Sequence, residues 1–252
     1  MRVRAPEKPG NVVSVHIRPL RLEGFEQLPK HARRCVFWEV DPQTLGEGNY
    51  LPDPEFEKEA WLSMVMLEWG SCGQVAAPVT DEGGPAADDD EPCLGFVLYA
   101  PPRVVPRALR FPTGPVSADA VLLTSMGVEA GQSEGLENQL IAQVVSELRR
   151  RGVRALEAFG RTAAAAELLG AEEDPELKQA VAALDDCSFE HCMIDADFLI
   201  QAGFTVVSPH RYFPRLRLEL DKGLGWKAEV EAALERLLES SQLQVSGAEL
   251  SG

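Results

Sequence analysis

The residues from Val128 to Glu137 form a segment that could hold a phosphate group. An apolar strand is predicted to end at Val128, and a long helix with apolar residues at helical spacing is predicted to begin near Glu134. The first backbone N–H groups of a helix have no partner inside the helix, and the helix dipole places partial positive charge there. Gly135 would let the backbone approach a ligand closely. The pattern is typical of an anion site.

The elements around this segment predict two parallel strands. Residues 118–128 are apolar on both faces, as expected of a central strand. The helix is predicted to end at Gly152, after the three arginines 149–151, and a strand over 153–159 follows at once. Strand, helix and strand in this order form a βαβ unit, so we expect strands 118–128 and 153–159 to be parallel neighbours.

Around this unit the sequence predicts further strands and helices. Alternating or continuous apolar runs favour strands over residues 11–22, 93–100, 204–207 and 212–220. Helical spacing of apolar residues favours helices over residues 54–69, 193–201 and 222–240. Asp53 and Pro54 are suited to begin the first of these helices as its N-cap and first residue.

With these elements in order, the sequence resembles the GNAT superfamily of acyl-CoA-dependent N-acetyltransferases. The pyrophosphate loop of that family reads Gln/Arg-x-x-Gly-x-Gly/Ala, and the matching residues here are Gln132, Ser133, Glu134, Gly135, Leu136 and Glu137. Residues 198–204, with the sequence FLIQAGF, are similar to the family's helix-to-strand junction ending in Gly-Phe. The resemblance covers about residues 92–220 and the first strand. It implies an α/β fold with a GNAT-type mixed central sheet flanked by helices and extra N-terminal and C-terminal helices.

The resemblance also implies a co-substrate and the residues that bind it. Acetyl-CoA would lie between the strand that ends at Val128 and the strand that begins at Val153, and the backbone of the first strand would pair with the pantetheine arm. An amine would approach from the opposite side and accept the acetyl group directly. The residues implied to bind acetyl-CoA are Met126, Gly127, Val128, Gln132, Ser133, Glu134, Gly135, Leu136 and Glu137.

Three positions depart from the family pattern. Glu137 stands where the loop has Gly or Ala, and a carboxylate near a pyrophosphate repels it. Leu199 occupies the approximate position of a tyrosine that protonates the leaving thiolate in many members, and Cys192 that of an asparagine. These departures place catalysis by the family's usual residues in doubt.

Two other residues are candidates for the catalytic roles. Glu157 lies in the apolar predicted strand beside the proposed acetyl-CoA site, where desolvation would raise its pKa and suit a general base. The structural alternative is a salt bridge to Arg154 or Arg161. Tyr212, in the closing strand pair, could act as the acid or could form a packing corner.

Composition excludes several function classes. The chain has 252 residues, 40 acidic against 24 basic, and a formal net charge of −16, so nucleic acid and anionic membrane surfaces are disfavoured as partners. No run approaches the roughly 18 apolar residues that a membrane span requires. Five scattered cysteines without a secretory leader favour reduced thiols in the cytoplasm. The motifs His31-x-x-x-Cys35 and Cys187-x-x-x-His191-Cys192 are too sparse to predict a metal site.

The predicted domain organisation is one GNAT-like domain over residues 1–220. Within it, residues 81–91 hold six carboxylates and predict a mobile loop, or an acidic lip that attracts a cationic substrate. Residues 221–252 predict an amphipathic helix and a frayed tail. The resemblance implies an acetyl-CoA-dependent N-acetyltransferase acting on the amine of a small molecule or peptide, and a non-catalytic module that binds CoA or a partner protein is the alternative.

Overall fold

The computed structural model of the chain describes residues 14–41, 44, 51–79, 92–129, 135–168 and 192–220. These residues form an α/β fold around one mixed sheet, as predicted. The acidic segment 81–91, residues Gln132, Ser133 and Glu134 of the predicted loop, and the C-terminal segment 221–252 lie outside the described residues. The predictions for those segments therefore stay predictions.

The sheet has eight described strands in the order β1-β2-β3-β4-β5-β8-β7, with β6 paired to β5 off this path. The pairs β4–β5 and β5–β6 are parallel and the other pairs are antiparallel, which confirms the predicted parallel βαβ unit. The strands are β1 Val15–Pro19, β2 Gly73–Pro78, β3 Gly95–Ala100, β4 Ala120–Val128, β5 Ala155–Arg161, β6 Ile194–Asp195, β7 Thr205–Ser208 and β8 Arg215–Glu219.

Four described α-helices flank the sheet: α1 Lys30–Arg34, α2 Pro54–Trp69, α3 Leu136–Arg150 and α4 Ala196–Gln201. The predicted start of α2 is confirmed, because the Asp53 carboxylate accepts the backbone N–H of Phe56 at 3.1 Å. Among these described helices, none has the length and apolar character that a membrane crossing requires.

Two hydrophobic cores lie on opposite faces of the sheet. The α2-side core contains Trp61, Leu62 and Val65 of α2, and the α3-side core contains the buried face of α3 around Leu140 and Val144. A strand presents alternate side chains to each face, so β2, β3, β4 and β5 contribute to both cores.

Arg151 and Trp69 join the two cores. The Trp69 ring packs against both of them. The guanidinium of Arg151, just after α3, lies 3.6 Å from the centre of this ring. It also donates to the carbonyl oxygens of Trp69 and Ser71, the latter at 2.8 Å, at the end of α2. The contact with Trp69 satisfies a carbonyl group that the C-terminus of α2 leaves without an intrahelical partner, and the contact with Ser71 fixes the turn that follows.

The structure differs from the sequence-based expectations in two places. Strand β2 was not predicted, because its only β-branched residue is Val75 and its pairing with β1 and β3 decides its conformation. Reduced thiols throughout were also expected, but Cys192 is disulfide-bonded, whereas Cys35, Cys72 and Cys93 are free. Spacing along the chain does not reveal which thiols approach each other in space.

Candidate cofactor site

Strands β4 and β5 are paired along only the first part of β4. Their register runs from Ala120 opposite Ala155 to Leu123 opposite Ala158, whereas β4 continues to Val128. The pairing of β4 with β3 shifts at the same place, which leaves Thr124 as an extra residue in β4. A bulge of this kind increases the local twist and bends the strand. Beyond Leu123 a gap therefore separates β4 from β5.

The backbone of β4 presents polar groups to this gap. Glu129 donates its N–H to Leu94 O at 2.9 Å, toward β3. The N–H and C=O of a residue point to one side of a strand and those of the next residue to the other. The backbone groups of Met126 and Val128 therefore point away from β3 and into the gap. This orientation is the one required by the predicted pairing with a pantetheine arm.

Packing against Phe96 explains why residue 127 is a glycine. Its backbone points toward β3, and a Cβ built on it would lie 2.8 Å from a ring carbon of the buried Phe96 side chain. The Phe96 ring thus covers Gly127 on the α2 side of the sheet. Its predicted role in cofactor binding stays a prediction, because packing alone explains the residue.

The start of α3 lies just beyond the end of β4. Gly135 immediately precedes Leu136, the first residue of α3, and has a φ of +89°, which is rarely adopted by other residues. No described heavy atom lies within 4 Å of a Cβ built at Gly135. The side chain of Leu136 is fully buried, so only its backbone could face a ligand. Glu137 is half-exposed in the first turn of α3.

The short strand β6 occupies the β5 side of the gap. Gly160 and Thr162 donate their N–H groups to Pro214 O at 2.9 Å and Tyr212 O at 3.0 Å, so these groups point toward β8. β6 pairs with Gly160 and Arg161 from the other side, the side that β4 has left. Ile194 of β6 is buried. Among the described residues, the part of the gap that no strand fills therefore lies along β4.

Glu157 lies in the closed part of the β4–β5 pair, opposite Leu122. It is completely buried, and its carboxylate accepts the backbone N–H of Ser117 at 3.1 Å and hydrogen bonds from Arg215 and from Arg217 at 3.0 Å. Burial alone would raise the pKa of Glu157, but the hydrogen bonds from Ser117 and the two arginines outweigh it and lower the pKa below its ordinary value.

The expected raised pKa of Glu157 is therefore wrong, and so are the predicted ion-pair partners Arg154 and Arg161. Arg161 lies 3.6 Å from Asp195 instead. A carboxylate that stays ionised between two guanidinium groups is a weak base, because losing its negative charge costs both ion pairs. This geometry supports the structural interpretation of Glu157.

Arg217 extends the Glu157 ion pairs to the surface. It contacts Asp119 at 3.0 Å and Glu219 at 2.6 Å. The hydrogen bond from Arg217 lowers the pKa of Asp119 below its ordinary value, and the carboxylates together raise the pKa of Arg217. The charges form one network that joins β4, β5 and β8 at the closed end of the gap.

Tyr212 lies beside the end of β5, and its predicted role as an acid stays a prediction. Its ring is buried, and its hydroxyl lies 3.5 Å from a carboxylate oxygen of Glu167, which also pairs with Arg211. His210 Nδ1 accepts the backbone N–H of Tyr212 at 3.1 Å, and burial lowers the pKa of His210. These contacts also fit the packing corner.

The sequence did not reveal a buried ion pair on the α2 side. Lys58 and Glu39 are both almost fully buried and pair with each other, and Lys58 also donates to the carbonyl of Cys35 at 3.0 Å. The Cys35 thiol lies 3.5 Å from the Cys192 sulfur, and burial raises the pKa of Cys35.

Within the described residues no group of three or more His, Cys, Asp or Glu could hold a metal ion.

No protein-family model matches the chain, and no curated protein matches it in sequence. Solved structures that it resembles include a GNAT-family acetyltransferase from Staphylococcus aureus Mu50, with 10% identity, a TM-score of 0.43, and 82% of this chain and 100% of that one covered. Ard1 from Thermoplasma volcanium has 12% identity, a TM-score of 0.41, and coverage of 82% and 98%. The PaiA N-acetyltransferase from Thermoplasma acidophilum, solved with coenzyme A, has 12% identity, a TM-score of 0.39, and coverage of 82% and 99%.

Proposed function

We propose that this chain is a divergent acetyl-CoA-dependent N-acetyltransferase that acts on the amine of a small molecule or peptide. The observation that carries the proposal is the gap between β4 and β5. The bulge at Thr124 opens it, and the backbone groups of Met126 and Val128 point into it. An extended amide chain such as pantetheine can pair with such groups in the way another strand would.

The start of α3 supports the same proposal. A chain paired to the end of β4 would reach the N-terminus of α3, where free N–H groups and the helix dipole favour a pyrophosphate. The positive φ of Gly135, and the absence of described atoms within 4 Å of a Cβ built there, would leave the backbone accessible to that group.

In the proposed reaction the amine nitrogen attacks the thioester carbonyl. A C–N bond forms, the C–S bond breaks, and the CoA thiolate leaves and takes up the proton released by the amine. Backbone groups of β4 would orient the thioester, so much of the rate would come from positioning. This division of labour is compatible with a structural role for Glu157.

Two glycines at opposite ends of α3 provide a matched test. Gly135 and Gly152 both have positive φ, +89° and +72°, and no described atom lies within 4 Å of a Cβ at either. Alanine should therefore cost similar strain, about 1 kcal/mol, at both positions. We expect Gly135→Ala to weaken acetyl-CoA binding about tenfold or more by calorimetry, and Gly152→Ala to leave it unchanged. Equal effects of the two variants would contradict the proposed location.

A second candidate function is a non-catalytic module that binds CoA or a partner protein. The observation that favours it is β6, which fills the β5 side of the gap with buried Ile194 and reduces the space for an acyl group and an attacking amine. Release of free thiol from acetyl-CoA, measured over a panel of small and peptidic amines, separates the candidates. Binding without amine-dependent thiol release would favour the module.

A further inference from the structure

A shallow groove runs along the outer side of α3, away from the gap. Its volume is about 520 Å³, and its apolar lining consists of Ile141, Ala142 and Val145 of α3, Ala202 after α4, and Leu218 of β8. Ala142 is exposed, and Val145, Ala202 and Leu218 are half-buried. The part of the lining that α3 supplies includes Asn138 at one end and Arg149 near the other. At 1.5 Å per residue, these two residues are roughly 17 Å apart along the helix.

The C-terminal segment of the chain starts at one end of this groove. Leu220, the last described residue, accepts a hydrogen bond from Arg149 Nε at 2.8 Å through its carbonyl and donates its N–H to Arg154 O at 2.8 Å. Arg149 and Arg150 line that end of the groove. A chain that leaves Leu220 therefore begins beside the C-terminal end of α3.

The sequence after Leu220 matches the groove in three respects. Gly223 and Gly225 allow the reversal of direction that is needed to run back along α3. An apolar stripe follows at helical spacing, formed by Trp226, Val230, Leu234, Leu237 and Leu238. From its first to its last residue this stripe would be about 18 Å long as a helix, close to the length of the groove.

The predicted helix also needs a partner surface. An amphipathic helix of this length is marginal on its own in water and needs a surface that buries its apolar face.

We propose that residues 222–240 form a helix that docks in this groove, antiparallel to α3, and that covers Ile141, Val145 and Leu218. The C-terminal segment is then a part of the domain that packs on α3, rather than a separate tail. The inference does not depend on the proposed function, because none of the groove's lining residues is among those proposed to bind acetyl-CoA.

Hydrogen–deuterium exchange of the full chain tests the docking. We expect backbone amides within 226–238 to exchange at least tenfold more slowly than in an unstructured peptide. Ala142→Glu places a charge on an exposed groove residue without breaking α3, and it should remove this protection. Leu234→Glu should do the same from the other side of the contact. Gln139→Glu, which adds the same charge at an exposed position of α3 outside the groove lining, is the matched control and should keep the protection.

Three results would overturn the proposal. Exchange of 226–238 at the unprotected rate in the wild type would show that the segment does not dock. Protection that survives Ala142→Glu would show that it docks elsewhere. If the protection disappears when the protein is diluted, and light scattering before dilution gives twice the mass of one chain, the groove binds the segment of a second copy.

Discussion

The two ends of the β4–β5 pair differ sharply in what they can do. At the closed end, four residues of each strand are in register, and Glu157 is buried in a network with Arg215 and Arg217. At the open end the strands diverge, and backbone groups of Met126 and Val128 face the gap. One end uses its polar groups to hold the sheet together, and at the other no described strand pairs with the backbone groups that face the gap.

The comparison shows that burial in an apolar strand does not by itself activate a carboxylate. Desolvation and ion pairing act on the pKa in opposite directions, and the stronger of the two decides whether the group is a base or a structural anion. At Glu157 the hydrogen bonds have the larger effect, and they lower the pKa. The polar groups that face the gap are instead backbone groups of β4. A search of the sequence for titratable side chains would not find them.

The largest expected effect is at the closed end. Glu157→Gln removes the charge that compensates Arg215 and Arg217, so the free energy of unfolding should fall by about 3 kcal/mol. Urea denaturation measures this loss. Glu219→Gln, which alters an exposed partner of Arg217, is the control and should change stability by less than about 0.5 kcal/mol.

Activity measurements on the same variant could contradict the structural role of Glu157. If Glu157→Gln kept its stability and lost amine-dependent thiol release, Glu157 would be a catalytic base after all, and the closed end would belong to the active site.

Acid should destabilise the protein through the same network. The pKa of Glu157 is lower in the folded state than in the unfolded chain, and that of Asp119 is also lowered. The contribution of each group to stability is complete above its unfolded-state pKa, near 4.5 for Glu157 and 3.8 for Asp119, and is lost as the pH falls below that value and through the lower folded-state pKa. The wild-type free energy of unfolding should therefore drop between about pH 5 and pH 3, and the drop should be smaller in Glu157→Gln. Equal slopes in the two proteins would contradict the assignment.

Gly127→Ala tests whether the open end depends on packing at this residue. The new methyl group would collide with the Phe96 ring, so stability should fall by about 1 to 3 kcal/mol. Acetyl-CoA affinity of the folded protein should change less than about twofold, because the backbone of Gly127 points toward β3. Differential scanning calorimetry and binding calorimetry measure the two effects. Adding Phe96→Leu should restore part of the stability, and failure to do so would exclude the collision as the cause.

The smallest expected effect concerns Glu137 in the first turn of α3. Its carboxylate stabilises the helix through the dipole but repels a pyrophosphate bound nearby. We expect Glu137→Gly to tighten acetyl-CoA binding about threefold despite a loss of about 1 kcal/mol of helix stability.

Glu137→Gln is the matched control, because it removes the charge and keeps the helix propensity. It should give the same tightening with a smaller loss of stability, because only the interaction of the charge with the helix dipole is removed, and both gains in affinity should shrink as salt is raised. Tight wild-type binding that Glu137→Gly weakens would show that this carboxylate points away from the cofactor.

The sequence predicted the elements with strong local signals and missed those that depend on partners. The apolar runs of β3, β4 and β5 and the capped start of α2 are present as predicted, with bounds shifted by a few residues. β2 has a weak local preference and exists through its neighbours. The bulge at Thr124 follows from register with β3, and its neighbours Leu123 and Ser125 do not reveal it.

The candidate site could be predicted only in part for the same reason. The loop motif and the strand before it indicated where a cofactor would bind. The two arginines that pair with Glu157 lie about 60 residues further along the chain, on β8. The alternation of Arg215, Leu216 and Arg217 was the sequence pattern from which these ion pairs could have been predicted. Two arginines on one face of a strand, beside an apolar strand with one carboxylate, indicate an ion-pair network.

The contacts of Arg151 have a consequence for how the domain unfolds. Because its guanidinium holds the end of α2 while its backbone ends α3, neither helix can detach without exposing the Trp69 ring that both cores share. The two faces of the sheet should therefore lose structure in a single cooperative transition, and the slowest-exchanging amides of α2 and α3 should report the same opening free energy.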